Sequence, residues 1–420
     1  TYSSAVFGID ARRIAVEVTT GGNVQSGAGV FHIVGLPDNA VREGIQRIGT
    51  AIRNLGIKYP RIRTVINLAP ADLKKEGSAF DLPIALGSLS CLGHIPRQRM
   101  EEVTLIGELS LDGSLRPVKG VLPIAMQVKE DGFKALILPR ENAKEASIVE
   151  GLKIYGVGHL QEAIDLLCGN ADLRPVPSGK ENIEWDDSSS SGLDFSDVKG
   201  QYKIKRALEI AAAGGHNLLL IGPPGAGKTM LAKRLPGILP RLTLDEALET
   251  TKVHSVVGML PANQALVKRR PFRSPHHTIS DVAMVGGGSI PVPGEISLAN
   301  HGVLFLDELP EFKRSVLEVL RQPMEERKVT ISRARISVDF PANFMLVASM
   351  NPCPCGFFNH PEKTCVCPPG SIKRYLNKIS GPLLDRIDLH IEVTPVCYGS
   401  LTNGTPAKES TSAVRKRVTD

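Results

Sequence analysis

The stretch LLLIGPPGAGKTMLAK, residues 218–233, decides the fold of the region around it. Its centre matches the pattern G-x-x-x-x-G-K-[ST] between an apolar strand and a helical segment, a context that disfavours the alternative of a Gly-rich turn without a ligand. Glycines let backbone N–H groups point at phosphate oxygens, and the helix N-terminus adds a positive dipole end. The stretch predicts a nucleoside triphosphate site formed by Gly222, Pro223, Pro224, Gly225, Ala226, Gly227, Lys228 and Thr229.

An acidic strand end supplies the second part of such a site. We expect Lys228 to reach the terminal phosphates of ATP and Thr229 to ligate Mg²⁺. The apolar run GVLFLDELPEF, residues 302–312, contains Asp307 and Glu308. We expect Asp307 to hold Mg²⁺ through water and Glu308 to orient or deprotonate the attacking water. Alone, this run indicates only a strand with an acidic turn, and the preceding loop makes the catalytic interpretation the favoured one.

Two later residues are further candidates for ATP hydrolysis. The apolar run FMLVASMN ends in Asn351, which is either an ordinary turn residue or a polar group that positions the same water. The run SGPLLDRIDLHIEV, residues 380–393, places Arg386 between two acids. Paired locally, Arg386 is structural, whereas pointed outward it completes the site of a neighbouring subunit.

The chain of 420 residues exceeds what one hydrophobic core usually organises, which predicts two domains. Residues 1–168 alternate short apolar runs with helical segments and predict a mixed α+β domain. Residues 169–191 are rich in Ser, Pro and acid and predict a linker. Residues 192–408 contain buried apolar strands separated by helical segments, which predicts an α/β domain with a central parallel sheet.

The overall composition restricts the class of protein. The net charge of +6 permits a polyanionic partner without demanding one. We find no apolar run long enough to span a bilayer and no secretory signal pattern at the first residues, so we expect a cytoplasmic protein without a membrane partner.

Four of the seven cysteines lie close together: Cys353, Cys355, Cys365 and Cys367. Two C-x-C pairs separated by nine residues can surround one tetrahedral Zn²⁺, although the commoner arrangement has two residues within each pair. Structural zinc is the favoured interpretation, followed by reduced thiols and then by a redox disulfide. The isolated Cys91, Cys168 and Cys397 are predicted to be small core residues.

The ordered motifs GPPGAGKT, FLDE, SMNPCPCG and SGPLLDRIDLH resemble those of the ComM/YifB group of Mg-chelatase-like AAA+ proteins. Residues 272–312 carry the closest likeness. The resemblance covers nearly the whole chain and implies a ring-forming ATPase, usually a hexamer. It also implies that Asn351 is the sensor and that Arg386 is an arginine finger acting in trans.

The same resemblance implies a DNA partner. Two elements would face the pore of the ring, namely an insert at 286–300 and a β-hairpin at 325–344 that carries Lys328, Arg333 and Arg335. Basic residues there would contact phosphates without reading sequence, and the alternative is a solvated basic turn. ComM-like proteins resemble branch-migration helicases of natural transformation. The alternatives are a chelatase-like remodeller of a protein partner and an ATP-dependent protease.

Residues 1–168 resemble the Lon-type protease fold. The likeness rests on APADLKKEGSAFDLPIAL and LIGELSLDGSLRPVKGVLPIA, but it places Ala79 at the nucleophile position and Leu122 at the Lys position, with Ser78 and Lys119 nearby. We therefore expect a degenerate, non-proteolytic domain. Residues 409–420 resemble the first helix of an AAA+ lid that is otherwise largely absent, so we expect weak assembly and slow hydrolysis from this chain.

Overall fold

The structure, a computed structural model, describes residues 1–23, 31–60, 62–179, 192–261, 264–288, 291–333, 336–394 and 409–420. The chain divides into two compact units. The first contains Thr1–Glu184 and His254–Leu266, and the second contains Trp185–Val253 and Val267–Asp420. The predicted domain boundaries remain a prediction. Residues 254–266, which they assign to the second domain, group with the first unit of the structure.

The first unit is built on a mixed seven-stranded sheet with the order β3-β4-β2-β1-β5-β8-β9. The pairs β1–β2 and β2–β4 are antiparallel and the other pairs are parallel. The strands of this unit are β1 (Tyr2–Phe7), β2 (Asp10–Asn23), β3 (Phe31–Val34), β4 (Ile62–Ala69), β5 (Val103–Leu105), β8 (Ala135–Pro139) and β9 (Lys153–Val157), with the hairpin β6 (Glu108–Leu109) and β7 (Leu115–Arg116) outside the sheet.

Helices of the first unit cover this sheet with apolar side chains. Helix α1 begins at the cap Asp38, whose carboxylate accepts a 2.8 Å hydrogen bond from the Val41 amide. Helix α2 is buried along almost its whole length, and its Leu82 and Leu86 belong to the same apolar core as Ile66 of β4. The helices are α1 (Asn39–Asn54), α2 (Asp81–Cys91), α3 (Arg97–Glu101), α4 (Val121–Glu130), α5 (Ala143–Ala146) and α6 (Leu160–Cys168).

The second unit has a five-stranded sheet with the order β11-β14-β17-β10-β18, and all its pairs are parallel. Its strands are β10 (Leu218–Ile221), β11 (Phe272–Arg273), β14 (Val303–Leu306), β17 (Met345–Met350) and β18 (Leu389–Glu392). The predicted α/β fold with a central parallel sheet is thereby confirmed. Because β17 lies between β14 and β10, the carboxyl ends of these three strands meet at one edge.

Two hairpins lie outside this sheet, one formed by β12 (Gly286–Gly287) and β13 (Val292–Pro293) and the other by β15 (Lys328–Arg333) and β16 (Ile336–Pro341). The remaining helices are α7 (Tyr202–Gly214), α8 (Lys228–Ala232), α9 (Leu235–Ile238), α10 (Leu244–Val257), α11 (Asp281–Val285), α12 (Glu295–Leu298), α13 (Arg314–Glu318), α14 (Arg321–Glu326), α15 (Pro369–Leu376), α16 (Gly381–Leu384) and α17 (Thr411–Thr419).

Helix α17, where the sequence indicates the start of a lid, is fixed to the second unit. Arg415 donates a 2.7 Å hydrogen bond to the Gly237 carbonyl, and Arg417 pairs with Glu209 at 2.6 Å. Val414 and Val418 enter the core of this unit. Across the described ranges, the helices are all too short or too polar to cross a membrane.

Candidate functional site

The phosphate-binding loop begins where β10 ends. Gly225 and Gly227 have φ of 80° and 85°, which L side chains rarely adopt. Gly222 packs against Val393, the residue after β18, and a Cβ on Gly222 would lie 2.4 Å from the Val393 carbonyl oxygen. The other loop residues contribute packing, since Ala226 is buried and Pro224 contacts Gly356. The predicted loop therefore depends on its glycines for conformation and for close packing.

Lys228 is the first residue of α8, and its amine turns back into the loop. It donates hydrogen bonds to the carbonyls of Gly222 at 2.7 Å and Pro223 at 3.0 Å, and to Asn351 Oδ1 at 3.1 Å. Burial lowers the pKa of Lys228, and the carboxylates of Asp307 and Glu308 oppose this decrease. The structure thus brings the predicted lysine, both acids and the predicted sensor together.

Asp307 follows β14 and is held by two hydroxyl groups. Thr229 Oγ1 donates to Asp307 Oδ2 at 2.7 Å, and Ser349 Oγ donates to Oδ1. The Glu308 amide donates to the same Oδ1 at 3.1 Å. A hydroxyl beside a carboxylate is the oxygen donor chemistry that Mg²⁺ prefers, so Thr229 and Asp307 fit the ion that accompanies ATP. The sequence did not indicate that Ser349 contacts Asp307.

Glu308 adopts a left-handed conformation with φ of 54° and ψ of 50°. Its carboxylate lies 3.9 Å from His277 Nδ1, and its side chain is more than half exposed. His277 stacks beside His276 with ring centroids 4.0 Å apart. The structure places Glu308 next to Asp307 at an open edge, and its role in activating water stays a prediction.

Asn351 is fixed at the end of β17 from two sides. Its amide oxygen accepts from Lys228, and its backbone is hydrogen-bonded to the Tyr375 hydroxyl. Burial raises the pKa of Tyr375 to about 12 against the effect of that hydrogen bond. Tyr375 lies on α15, twenty-four positions further along the chain, and sequence reasoning gave no indication of this contact.

Arg386 is paired within its own chain. Its guanidinium forms an ion pair with Glu325 on α14 and also donates to the Pro382 carbonyl. The side chain is 24% exposed. The partner of Arg386 is thus an acid remote in sequence and neither of the two flanking acids, and the role of Arg386 in trans stays a prediction.

The four clustered cysteines converge, with their sulfur atoms all within 4.8 Å of one another. Three of the Sγ–Sγ distances are 3.3, 3.6 and 3.7 Å, too long for a disulfide bond. Four thiolates at about 2.3 Å from one zinc ion lie about 3.8 Å apart, so the observed spacing fits a single tetrahedral ion. Hydrogen bonds from the backbone of Phe357 and Val366 lower the pKa of Cys355 to about 6, whereas burial and the neighbouring sulfur atoms raise the pKa of Cys365 to about 12.

The predicted DNA-binding residues have different environments. Lys328 pairs with Asp339 across the hairpin at 3.3 Å, and Arg335 lies outside the described residues. Arg333 is exposed, and its guanidinium lies 3.5 Å from the position of a Cβ on Gly287. The two predicted pore elements are thus neighbours within the second unit. Cys397 also lies outside the described residues.

The residues expected at a Lon-type site have separate partners. Ser78 donates to Glu108, whereas the Lys119 side chain packs against Gly258. Leu122 is fully buried, and its amide donates to Glu145 Oε1 at 2.8 Å. These contacts do not form the Ser–Lys pair that peptide hydrolysis would require.

A parallel sheet with these groups at its carboxyl edge is that of a P-loop protein of the AAA+ class. Residues 194–401 match the family described as magnesium chelatase, subunit ChlI, and residues 16–142 match a second description of the same subunit. The chain belongs to the ComM/YifB group of Mg-chelatase-like AAA+ proteins. It is 46% identical over 417 residues to competence protein ComM of Haemophilus influenzae, and 45% identical over 420 residues to YifB of Escherichia coli.

Each of these alignments covers 99% of this chain and 80% of the relative. Lon protease 2 of Bacillus subtilis is 28% identical over 134 residues, which are 32% of this chain and 24% of that protein. The predicted family and the Lon-like similarity are both confirmed.

Proposed function

We propose that this chain is an ATP-driven DNA translocase that promotes branch migration during recombination in natural transformation. The observation that carries the ATPase half is the contact of Lys228 and Thr229 with Asn351 and Asp307. The similarity of the chain to a protein named for competence supports a role in natural transformation. The motor works as a homo-oligomeric ring, a hexamer, in the cytoplasm.

In this mechanism, the phosphate-binding loop and Lys228 hold the terminal phosphates of ATP. Thr229 and Asp307 would hold Mg²⁺, which would supply positive charge beside the transferred phosphoryl group. Glu308 takes the proton of the attacking water, and Asn351 orients that water beside Lys228. Arg386 leaves Glu325 and completes the site of the adjacent subunit.

The DNA contact is made by the β15–β16 hairpin and the neighbouring β12–β13 hairpin. The exposed guanidinium of Arg333 meets the phosphate backbone, with Lys328 and Arg335 contributing charge along the same hairpin. Such contacts are tolerant of sequence and weaken with salt, because binding releases counterions. The nucleic acid is single-stranded or branched DNA.

We further propose that Cys353, Cys355, Cys365 and Cys367 bind one structural Zn²⁺. Four sulfur ligands suit zinc, and these sulfur atoms lie close enough together to bind a single ion. In this arrangement the ion cross-links the segment between β17 and α15.

The test is ATP hydrolysis with and without single-stranded DNA across a salt series, for wild type, Arg333→Ala and the control Lys416→Ala. Lys416 is exposed on α17 and carries the same charge. We expect stimulation by DNA that fades as salt rises, and a loss of about one in the slope of log affinity against log salt for Arg333→Ala only. A response that ignores both DNA and salt would favour a remodeller of a protein partner.

A further inference from the structure

The segment that carries the first two cysteines lies directly on the nucleotide site. Cys353 is fully buried and stands two residues after Asn351. Gly356 follows with φ of 83°, and a Cβ there would lie 2.5 Å from Pro224 Cδ. The Gly222 amide, at the start of the phosphate-binding loop, also donates a 3.1 Å hydrogen bond to the Met350 carbonyl. A displacement of this segment would therefore reach the phosphate-binding loop.

The other two cysteines lead back to the same point. Cys367 lies two positions before α15, and α15 carries the buried Tyr375, whose hydroxyl meets the backbone of Asn351. Cys365 and Cys367 line a cavity together with Ile372 and Leu376 of this helix. Both flanks of the cluster thus end at Asn351, one through the chain and the other through Tyr375.

The segment between these flanks has little else to hold it. Residues 351–368 contain neither helix nor strand, and most of their side chains beyond Gly356 are half-buried or exposed. Phe358 and Val366 are 43% and 81% exposed. An irregular segment with so little buried apolar surface gains order chiefly from a cross-link, because closing the loop removes many alternative conformations.

From this closed path we propose that zinc bound by the four cysteines positions Asn351 and thereby controls the rate of ATP hydrolysis. This inference rests on the proposed zinc site and on the proposed ATPase. Coordination joins the segment leaving β17 to the segment entering α15, so that Tyr375 stays against Asn351 and Gly356 stays against Pro224. The zinc ion has a structural role here, and Tyr375 is a positioning residue.

A split between kinetic parameters distinguishes this role from general stability. The phosphate-binding loop is also held by Gly222 packing and by its link to β17, so nucleotide binding should change little when zinc is removed. Loss of a positioning contact worth about 1.4 kcal/mol lowers turnover about tenfold. We therefore expect kcat to fall about tenfold while KM for ATP changes less than about threefold.

The experiment compares wild type, Cys365→Ser/Cys367→Ser, Tyr375→Phe and the control Cys168→Ser, under reducing conditions and without DNA. Cys168 donates to the His94 carbonyl in the first unit, far along the chain from the cluster. Zinc content is measured by atomic emission and ATP kinetics at fixed Mg²⁺. Amide hydrogen exchange of residues 222–228 and 351–357 is followed with and without added Zn²⁺.

We expect one zinc per wild-type chain, none in the double cysteine variant, and faster exchange of both segments in that variant. Tyr375→Phe should keep its zinc and lose turnover, and Cys168→Ser should match wild type. Wild-type kcat and exchange in a folded, zinc-free protein would overturn the inference and leave the ATPase proposal intact. Zinc-dependent exchange in a protein that does not hydrolyse ATP would instead support the positioning and contradict the proposed ATPase.

Discussion

Replacing Ser349 by Ala removes one of the two hydroxyl groups that hold Asp307. Ser349 is fully buried on β17, and the parallel register that pairs Leu306 with Ala348 brings it level with the acid. After the change, Asp307 Oδ1 keeps only the weaker contact with the Glu308 amide, while Thr229 still holds Oδ2. The carboxylate then turns more freely before the metal binds.

The size of the effect follows from this arrangement. Removing a hydrogen bond to a group that holds a metal typically costs about 10–100-fold in metal affinity. Because Thr229 and the Glu308 amide remain, we expect the low end, about tenfold, which corresponds to about 1.4 kcal/mol. The Mg²⁺ concentration for half-maximal ATP hydrolysis should rise by that factor, and kcat at saturating Mg²⁺ should change little.

The assay is a Mg²⁺ titration of ATP hydrolysis at saturating ATP, and the matched control is Ser297→Ala. Ser297 is also fully buried in the second unit, but its hydroxyl has no hydrogen-bond partner among the described residues. Each substitution removes one buried hydroxyl group, and only the hydroxyl group of Ser349 contacts a carboxylate. Equal Mg²⁺ dependence in the two variants would refute the reasoning.

Two further predictions concern other charged pairs. Burial raises the pKa of Asp81 to about 6 despite its bond to Arg47, so folding favours the protonated acid. The free energy of unfolding should therefore fall by about 3 kcal/mol as pH rises from about 4 to about 6. Thermal unfolding should show this loss in wild type and not in Asp81→Asn, and parallel curves would contradict it. For Glu325→Gln, release of the partly exposed ion pair with Arg386 should lower the protein concentration for half-maximal ATP hydrolysis by up to about fivefold, whereas an unchanged midpoint would mean that Arg386 is structural.

The parts of the site that the sequence predicted are those written in continuous motifs. The loop at 222–229 and the acidic pair after β14 carry their conformation and chemistry within a few residues, so their pattern is sufficient. The four cysteines could be predicted as a cluster for the same reason. Their sulfur positions, by contrast, became known only from the fold.

Residues that act through long-range pairing could not be predicted. Ser349 looks like one small residue in an apolar strand, and its contact exists only because β14 and β17 are neighbours in a particular register. Tyr375 is buried and Glu325 is exposed, and the sequence of their helices does not indicate the partner of either residue. The pairing of Arg386 likewise depends on Glu325 of α14, which is remote in sequence.

The sheet also offers a route between the hairpin proposed to contact DNA and the site proposed to hydrolyse ATP. At the amino ends of β14 and β17, the His301 amide donates to the Asn343 carbonyl at 2.6 Å, and the Asn343 amide donates to Asn300 Oδ1 at 2.8 Å. The β15–β16 hairpin ends just before this point, and Asp307 and Asn351 lie at the opposite ends of the same two strands. At about 3.3 Å per residue, strands of this length span only some 13–20 Å. The base of this hairpin and both groups therefore belong to one closely packed element, which physically connects the proposed DNA contact with the proposed hydrolysis site.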